Sequence, residues 1–288
     1  MKVAFVTDSG TGKTVSELKQ DGIFSVPLQV SYDNTNYQDL EELGIEEMYR
    51  LMRDGVMLST SLPSLGKIEA LFEHLKNEGY EQIFAVPICT GLSGTINAMQ
   101  MCAKTVGIPF DYVDCNVTAV VQDYMIHLAK DLHEKGKSIS EIKAVLETVV
   151  DSTNTYLLPN DLHHLKRGGR LTPLAATLGG LLKIKPILTI QGEKLDSFQK
   201  TRTMQKAAKI MIEALRHDIQ ERIDPTHEDM SDARIMIAYT YDRDQALEFK
   251  KEVEEAFPNH DIICDPLSLS VACHIGPHSL AIAACKKI

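Results

Sequence analysis

The first half of the chain alternates short apolar stretches with stretches of helical periodicity. The apolar stretches predict strands at 3–8, 24–30, 82–88 and 109–115. Helices are predicted between them, for example at 65–79, where apolar residues recur at helical spacing. Because parallel strands need long crossover connections that are usually helical, this alternation predicts a parallel α/β sheet.

The pattern changes after a polar stretch at 151–161. Further strands are predicted at 184–190, 234–240, 261–265 and 279–285, and a long helix at 203–222. A chain of 288 residues is long for one domain. We therefore predict two domains, an N-terminal parallel α/β sheet domain at 1–153 and a C-terminal mixed α/β domain at 154–288.

Ligands of open α/β sheets bind beyond the carboxyl ends of the strands, so we expect the binding loops to follow Asp8, Ile88 and Asp114. The first of these loops, TDSGTGKT (7–14), ends like a Walker A phosphate loop but has Thr7 where that motif needs glycine. Two interpretations follow. Asp8 and Ser9 cap the next helix and line the crevice, or the loop binds a nucleotide.

The composition argues against several classes of function. A net charge of -10 is unfavourable for binding nucleic acid. No apolar run is long enough to span a membrane, and the N-terminus lacks the apolar core of a secretory signal, so we expect a cytoplasmic protein without integral membrane association. The charge is uneven, because the segment 166–209 has ten Lys and Arg residues against two acidic ones. This segment is either a solvated basic face or a docking surface for an acidic partner.

The cysteines and histidines do not predict a metal site. The six cysteines are scattered, with no C-x-x-C pair and no zinc-ligand spacing, which predicts reduced and buried side chains. The adjacent His163 and His164 would point about 100° apart on a helix, which argues against a shared metal ion.

Two segments offer hydroxyl groups for a binding site. In STSLPSLGK (59–67), helix capping explains Ser64 and a turn explains Pro63. Thr60 and Ser61 then remain in an extended segment, with hydroxyls that could enter the crevice.

The stretch TGLSGT (90–95) is the strongest local signal. A hydrolase elbow, G-x-S-x-G, would need glycine at Thr95, whereas this chain has Gly94. Glycines around Ser93 at a helix start are typical of an anion site built from backbone N–H groups, the helix dipole and hydroxyls. Alternatively, Ser93 is a nucleophile, or it merely caps the next helix.

Three segments of the second half are also notable. HHLKRGGRL (163–171) ends a helix with cations and glycines. The apolar stretch at 172–188 is typical of a core but could equally wall a tunnel. His274, followed by Gly276, is either a core histidine or a third donor in the crevice.

Taken together, these residues resemble the DegV family of bacterial fatty-acid-binding proteins. The matching motifs are TDS (7–9), TS-x-PS-x-G (60–66), GLSGT (91–95), L-x-x-L-x-x-GGR (162–170), KP (185–186), RT (202–203) and H-x-G (274–276). They follow one another in order along almost the whole chain.

The resemblance implies that a long-chain fatty acid lies in a tunnel between the two domains, with no cofactor. The implied fatty-acid-binding residues are Thr60, Ser61, Ser93, Gly94, Thr95 and His274. A separate fatty acid kinase subunit would phosphorylate the bound carboxylate to an acyl phosphate for phospholipid synthesis. The chain would then be the lipid-binding component and not itself an enzyme.

The resemblance also implies two further sets of residues. Arg170 and Arg202 match basic positions linked to kinase docking, and the remaining crevice candidates are Asp8, Ser9, Gly276 and His278. The chain departs from the family pattern at Leu62, Thr90 and His278, where Gln, Ser and a glycine-rich sequence are common. The alternative is a stand-alone enzyme, either a serine hydrolase using Ser93 or a nucleotide-dependent phosphotransferase using the 7–14 loop.

Overall fold

The computed structural model of the chain describes residues 1–160, 162–177, 184–190 and 194–288. These residues divide into two compact units, Met1–Glu147 with Ser268–Cys273, and Thr148–Leu267 with His274–Ile288. The predicted domain division at 153 and 154 stays a prediction. Part of the predicted core or tunnel-wall stretch, 178–183, lies outside the described residues.

The first unit contains short strands and longer helices. Its strands are β1 (Val3–Asp8), β2 (Phe24–Val26), β3 (Gln29–Tyr32), β4 (Thr35–Gln38), β5 (Ser59–Ser61), β6 (Gln82–Ala85) and β7 (Phe110–Tyr112). Its helices are α1 (Val15–Gln20), α2 (Ile45–Arg53), α3 (Leu65–Asn77), α4 (Thr95–Val106), α5 (Val120–Glu134) and α6 (Ile139–Ser152), and a 3-10 turn covers Ser9–Thr11. Along the sequence, α6 continues past residue 147 into the second unit.

The first unit has a parallel sheet in the strand order β2-β1-β6-β7, which confirms the predicted parallel architecture. Every residue of β1 is buried, as expected of a central strand. Helix α3 packs on this sheet through Ile68, Phe72 and Leu75, which join Met99 of α4 and Ile83 of β6 in one apolar core.

The prediction of one strand at 24–30 is wrong. The chain forms two strands there, β2 in the parallel sheet and β3 in a separate antiparallel sheet of order β4-β3-β5. Pro27 lies at the break between them. Because proline has no backbone N–H to donate and is confined to strand ends and edges, a continuous central strand through this residue is unfavourable.

The second unit is also mixed α/β. Its strands are β8 (Asn154–Leu158), β9 (Lys185–Thr189), β10 (Asp196–Thr201), β11 (Ala233–Tyr239), β12 (Ile263–Pro266) and β13 (Leu280–Lys286). Its helices are α7 (His163–Gly168), α8 (Pro173–Thr177), α9 (Met204–Asp218) and α10 (Arg243–Ala256), and a π-helical turn, Ile219–Ile223, follows α9. The last helix, α11 (Leu269–Ile275), begins in the first unit and ends in the second along the sequence.

Among the described residues, the six strands of the second unit form one sheet in the order β10-β9-β8-β13-β11-β12. Only the β11 and β12 pair is parallel, which confirms the predicted mixed sheet. Strands β8 and β10 were not predicted. The first has only a short apolar core between polar residues, and the second is an edge strand of sequence DSFQKT that lacks apolar alternation.

The cysteines largely behave as predicted. All six are free, and five of them are buried. The exception is Cys264, which is half-buried, so the prediction is wrong for its burial.

A buried carboxylate holds the start of α11. Asp39 accepts hydrogen bonds from the backbone N–H groups of Leu269 (3.0 Å) and Ser270 (3.2 Å), and from the Ser270 hydroxyl (2.5 Å). The hydroxyl of Ser9 donates to the same carboxylate at 2.7 Å. Asp39 therefore caps α11 and joins it to the loop after β1. Asp39 and Ser268–Cys273 belong to the same compact unit.

The stability of the protein should depend on pH through Asp39. Burial raises the pKa of Asp39 to about 6, above its ordinary value of about 3.9. Between these values the folded chain binds more protons than the unfolded chain, so the free energy of unfolding should fall as pH rises. A pKa difference of about two corresponds to at most about 3 kcal/mol.

The Asp39→Asn variant cannot titrate at this position. Its free energy of unfolding should therefore fall less steeply with rising pH than that of the wild type. Urea unfolding at several pH values across this interval measures the difference. Asp33→Asn, at an exposed aspartate, is the matched control and should follow the wild type. Parallel curves for wild type and Asp39→Asn would contradict the prediction.

Candidate functional site

The strand order of the parallel sheet locates a crevice. Strand β1 lies between β2 and β6, so the strand order reverses between β1 and β6. In open α/β sheets this reversal leaves a crevice beyond the carboxyl ends of the two strands, where ligands bind. The loops at that edge are those that follow Asp8 and Ala85.

Asp8 ties these two loops together. Its carboxylate is fully buried and accepts hydrogen bonds from the backbone N–H groups of Gly10 (2.8 Å) and Ile88 (2.9 Å). Burial raises the pKa of Asp8 to about 6, although these hydrogen bonds favour the charged form. Ser9 is also buried and bonds with Asp39 and with the N–H of Leu28. Both predicted crevice residues therefore hold protein partners, and their contact with a ligand stays a prediction.

Gln122 on α5 is a positioning residue that the sequence analysis missed. Its amide donates to the hydroxyl of Thr7 and to the carboxylate of Asp8, each at 3.0 Å. A side chain on Gly10 would lie 2.6 Å from Gln122 Oε1 and 2.7 Å from Asp8 Oδ1, so this close contact requires glycine. Gln122 belongs to no motif and is far from Asp8 in sequence, so only the folded structure reveals it.

The contacts of the Walker-like end of the 7–14 loop are those of a helix cap. Thr14 is the N-cap of α1, and its hydroxyl and the carboxylate of Glu17 form a capping box. The hydroxyl of Thr7 donates to the carbonyl of Val86 at 2.7 Å. These hydroxyls therefore stabilise the loop and the helix start.

The loop after β6 brings Ser93 to the start of a helix. Thr90 anchors the loop, because its hydroxyl donates to Asp114 at 2.6 Å. Helix α4 begins at Thr95 with Gly94 as its N-cap and no side-chain cap, so the interpretation of Ser93 as the helix cap is wrong. Instead, the hydroxyl oxygens of Ser93 and Thr95 lie 2.8 Å apart. Thr95 is buried, Ser93 is half-buried and Gly94 is exposed.

Thr60 and Ser61 lie on β5, whose neighbour Leu62 lies beside the Ser93 loop. A side chain on Gly94 would lie 3.5 Å from Leu62 Cδ2. Because side chains alternate along a strand, Thr60 and Ser61 point to opposite faces. The hydroxyl of Ser61 donates to Gln29 at 3.0 Å. Ser64 is the N-cap of α3, but its side chain makes no capping hydrogen bond, so the expected capping by this hydroxyl is wrong.

In the second unit, two histidine rings each pack against a glycine from a segment that is distant in sequence. A Cβ on Gly168 would lie 2.2 Å from Nδ1 of His274, and a Cβ on Gly276 would lie 2.7 Å from Cδ2 of His164. We call these two contacts the histidine–glycine pairs. They join the HHLKRGG segment to the H-x-G segment. Burial, together with the charge of Arg170, lowers the pKa of His274 to about 4, so its imidazole is neutral at pH 7.

The remaining predicted residues lie on the same unit. His278 is half-buried, and its Nδ1 lies 3.2 Å from Asp242 Oδ2. Gly276 has a positive φ of 79°, which favours glycine. Arg202 is exposed just after edge strand β10, whereas Arg170 is half-buried and donates to the carbonyl of Gly168 at 2.5 Å.

One group of metal-ligating side chains occurs among the described residues. It consists of Asp224, His227 and Asp232, which the sequence analysis did not single out. His227 Nδ1 lies 2.7 Å from Asp224, and Asp224 also accepts from the backbone N–H of Asp232, so an ion pair within the loop explains the group. Within the described ranges, no helix has the length and apolarity needed to cross a membrane.

Comparisons with known proteins support the family resemblance. The family model for an uncharacterised protein, DegV family, matches residues 2–287. A DegV domain-containing protein of Streptococcus pyogenes serotype M1 is 30% identical over 285 residues, which cover 98% of both chains.

Two solved structures have the same fold over the whole chain. A DegV family protein from Thermus thermophilus, described by its fatty acid binding, has a TM-score of 0.88 and 26% identity, and the match covers 99% of this chain and 100% of that one. DegV from Bacillus subtilis, described as a fatty acid binding protein, has a TM-score of 0.86 and 27% identity over 100% of both chains.

The close contact at Gly168 should make even alanine unfavourable there. Gly168→Ala would force the His274 ring or α7 to shift, which we expect to destabilise the protein by about 1–3 kcal/mol. Chemical denaturation measures the loss, and the NMR signals of His274 should move. Gly66→Ala is the control, because this glycine lies within α3 and the nearest heavy atom to a Cβ there is Ser64 Oγ at 4.0 Å, and it should not destabilise the protein. Equal effects of both variants would contradict this packing.

Proposed function

The chain belongs to the DegV family, and we propose on this premise that it binds a long-chain fatty acid and presents the carboxylate to a separate kinase subunit. The kinase would transfer a phosphoryl group to that carboxylate and form an acyl phosphate. In this proposal the chain is the lipid-binding component and performs no catalysis alone. Its six free cysteines fit a reducing compartment such as the cytoplasm.

The observation that carries the proposal is the position of Ser93 at the start of α4. The first N–H groups of any helix lack carbonyl partners within the helix and lie at the positive end of its dipole. Here they lie next to the paired hydroxyls of Ser93 and Thr95, at the crevice edge of the parallel sheet. Backbone N–H groups and hydroxyl donors of this kind suit a carboxylate.

Thr60 and His274 are proposed as further donors to the carboxylate. Thr60 lies on β5, two residues before Leu62, which packs beside Gly94. The neutral imidazole of His274 can donate one hydrogen bond without adding a charge. Ser61 faces the other side of β5 and bonds to Gln29, so we propose a smaller role in carboxylate binding for Ser61 than for Thr60.

Affinity and positioning should come from different parts of the ligand. Each buried CH₂ contributes about 0.8 kcal/mol, so a sixteen-carbon chain contributes roughly 12 kcal/mol before the costs of binding. A hydrogen bond contributes about 1 kcal/mol net. We therefore propose that an apolar tunnel supplies the affinity, whereas Ser93 and its neighbours orient the carboxylate.

A serine hydrolase is the competing function, and it needs a histidine base hydrogen-bonded to the serine. Among the described residues, the partner of the Ser93 hydroxyl is Thr95, not a histidine.

Mass spectrometry of lipid extracted from the purified protein tests the binding proposal directly. Recovery of a long-chain fatty acid is expected, whereas turnover of an ester by the protein alone would favour the hydrolase.

Ser93→Ala should separate orientation from affinity. We expect fatty acid binding to weaken by less than about tenfold, because the variant loses one hydrogen bond, while the rate of acyl-phosphate formation with the kinase falls further. Calorimetry and a coupled kinase assay measure the two effects. Ser140→Ala, at an exposed serine of α6, is the control. Equal losses of binding and phosphorylation would contradict the division of roles.

Arg202→Glu tests the docking role. Arg202 and Lys200 are both exposed at the end of edge strand β10, so we propose that this basic surface docks an acidic region of the kinase. The variant should keep its affinity for fatty acid and lose at least about tenfold in apparent affinity for the kinase. Arg53→Glu, at an exposed arginine of α2, makes the same charge change elsewhere and should leave kinase affinity unchanged. If neither variant changes the apparent affinity for the kinase, the basic segment is a solvated face.

A further inference from the structure

The turn that carries Ser93 is closed by its own backbone. The N–H groups of Leu92 and Ser93 both donate to the carbonyl of Cys89, each at 3.1 Å. We call residues 89–93 the Ser93 turn. Because the Ser93 N–H is used within this turn, the hydroxyl is the donor of Ser93 that can reach a ligand. The position of this hydroxyl is therefore set by the contacts that hold the turn in place.

The carboxylate of Asp114, in the loop after β7, holds the Ser93 turn. Its Oδ2 accepts hydrogen bonds from the hydroxyl of Thr90 at 2.6 Å and from the N–H of Thr90 at 3.2 Å. Hydrogen bonds to an ionised acceptor are stronger than those between neutral groups. The N–H of Cys89 also donates to the carbonyl of Val117 at 3.2 Å. These contacts join the loop after β6 to the loop after β7.

Asp114 is fixed within its own loop. Its second oxygen, Oδ1, accepts from the N–H of Asn116 at 3.1 Å, which is the bond of an Asx turn. Asn116 has a left-handed φ of 59°, a conformation that asparagine tolerates better than most residues. Thr90 is exposed and Asp114 is half-buried, so their hydrogen bonds lie outside the apolar core. The pair therefore orients the turn without being needed to fill the core.

The loop after β6 is also held from its other side. Strand β6 lies between β1 and β7, so the loops after those two strands flank the loop after β6. Asp8, at the end of β1, accepts from the N–H of Ile88 at 2.9 Å. Asp8 thus holds the chain just before the Ser93 turn, whereas Asp114 holds the turn itself through Thr90. Of these two carboxylates, Asp114 has the more direct control over the Ser93 hydroxyl.

We propose that Asp114 and Thr90 are positioning residues that hold the Ser93 hydroxyl against the carboxylate of the fatty acid. This inference rests on the proposed function, because it takes Ser93 as a donor to that carboxylate. Neither Asp114 nor Thr90 needs to touch the ligand, since both act through the Ser93 turn.

The proposed reaction depends on such positioning. A carboxylate oxygen attacks the γ-phosphorus of a nucleoside triphosphate held by the kinase. The bond from this phosphorus to its bridging oxygen breaks, and the nucleoside diphosphate leaves with the electron pair. Proteins accelerate this kind of step mainly by placing the reacting groups. A misplacement of about 1 Å can lower the rate by about a hundredfold.

Hexadecanoic acid labelled with ¹³C at its carboxyl carbon tests the proposal on delipidated full-length protein. The NMR shift of this carbon reports the hydrogen bonds of the bound carboxylate, and calorimetry gives the affinity. Thr90→Val removes the hydroxyl and keeps the shape of the side chain. We expect this variant to bind the acid within about threefold of wild type, while the carboxyl signal moves towards that of Ser93→Ala. With the kinase present, the rate of acyl-phosphate formation should fall by at least about tenfold.

Three further variants make the test specific. Thr90→Ser, which introduces the residue common in the family pattern and keeps the hydroxyl, should restore most of the rate that Thr90→Val loses. Asp114→Ala should have a larger effect than Thr90→Val, because it also releases the N–H groups of Thr90 and Asn116. Thr105→Val makes the same substitution at an exposed threonine in the last turn of α4, and should change neither the carboxyl signal nor the rate.

A double variant separates positioning from a purely structural role. If Thr90 acts through Ser93, adding Thr90→Val to Ser93→Ala should lower the rate by less than a further twofold or so and leave the carboxyl signal unchanged. Losses that multiply would overturn the inference. A carboxyl signal that stays at its wild-type position in Thr90→Val would overturn it as well, and Asp114 would then only stabilise the loop.

The proposed function fails separately, if wild type does not bind the labelled acid. Circular dichroism and urea unfolding check that each variant is folded. If Asp114→Ala does not fold, Thr90→Val decides, because Thr90 is exposed and its hydroxyl fills no part of the core.

Discussion

Asp8 accepts hydrogen bonds from the backbone of two loops, its own and the one that follows β6. Burying a carboxylate is costly unless hydrogen bonds replace its hydration, and here Gln122 and two backbone N–H groups supply them. The loop that reaches Ser93 is therefore attached to the central strand through one side chain. Asp39 makes a comparable connection to the start of α11. The head-group end of the proposed site thus depends on buried polar contacts as much as on apolar packing.

Much of the architecture could be predicted because it depends on local periodicity. The parallel sheet of the first unit and the long helices follow from apolar spacing. The misses have identifiable causes. Pro27 ends β2 within an apolar stretch, and the edge strand β10 is too polar to show a strand pattern. Such features depend on which neighbour a strand meets, and a single sequence does not contain that information.

The residues of the candidate site could likewise be predicted only in part. Motifs drew attention to Ser93, Thr60 and His274, because glycines and hydroxyls at helix starts have recognisable spacing. Gln122 and Asp39 could not be identified in advance, since each acts across a large separation in sequence. The capping assignments of Ser64 and Ser93 failed for a related reason. Residue type favours a cap, but Ser64 makes no capping hydrogen bond although it is the N-cap of α3, and the N-cap of α4 is Gly94 and not Ser93.

The two histidine–glycine pairs have a consequence for how the sequence can change. Each glycine provides the space that the other segment's ring occupies, Gly168 for His274 and Gly276 for His164. A larger residue at Gly168 would be accommodated only if His274 became smaller, whereas Gly276 is also required by its positive φ. A smaller residue at either histidine would leave a gap beside its glycine. The two segments lie more than a hundred residues apart in sequence. A substitution in one of them at these positions therefore requires a compensating substitution in the other.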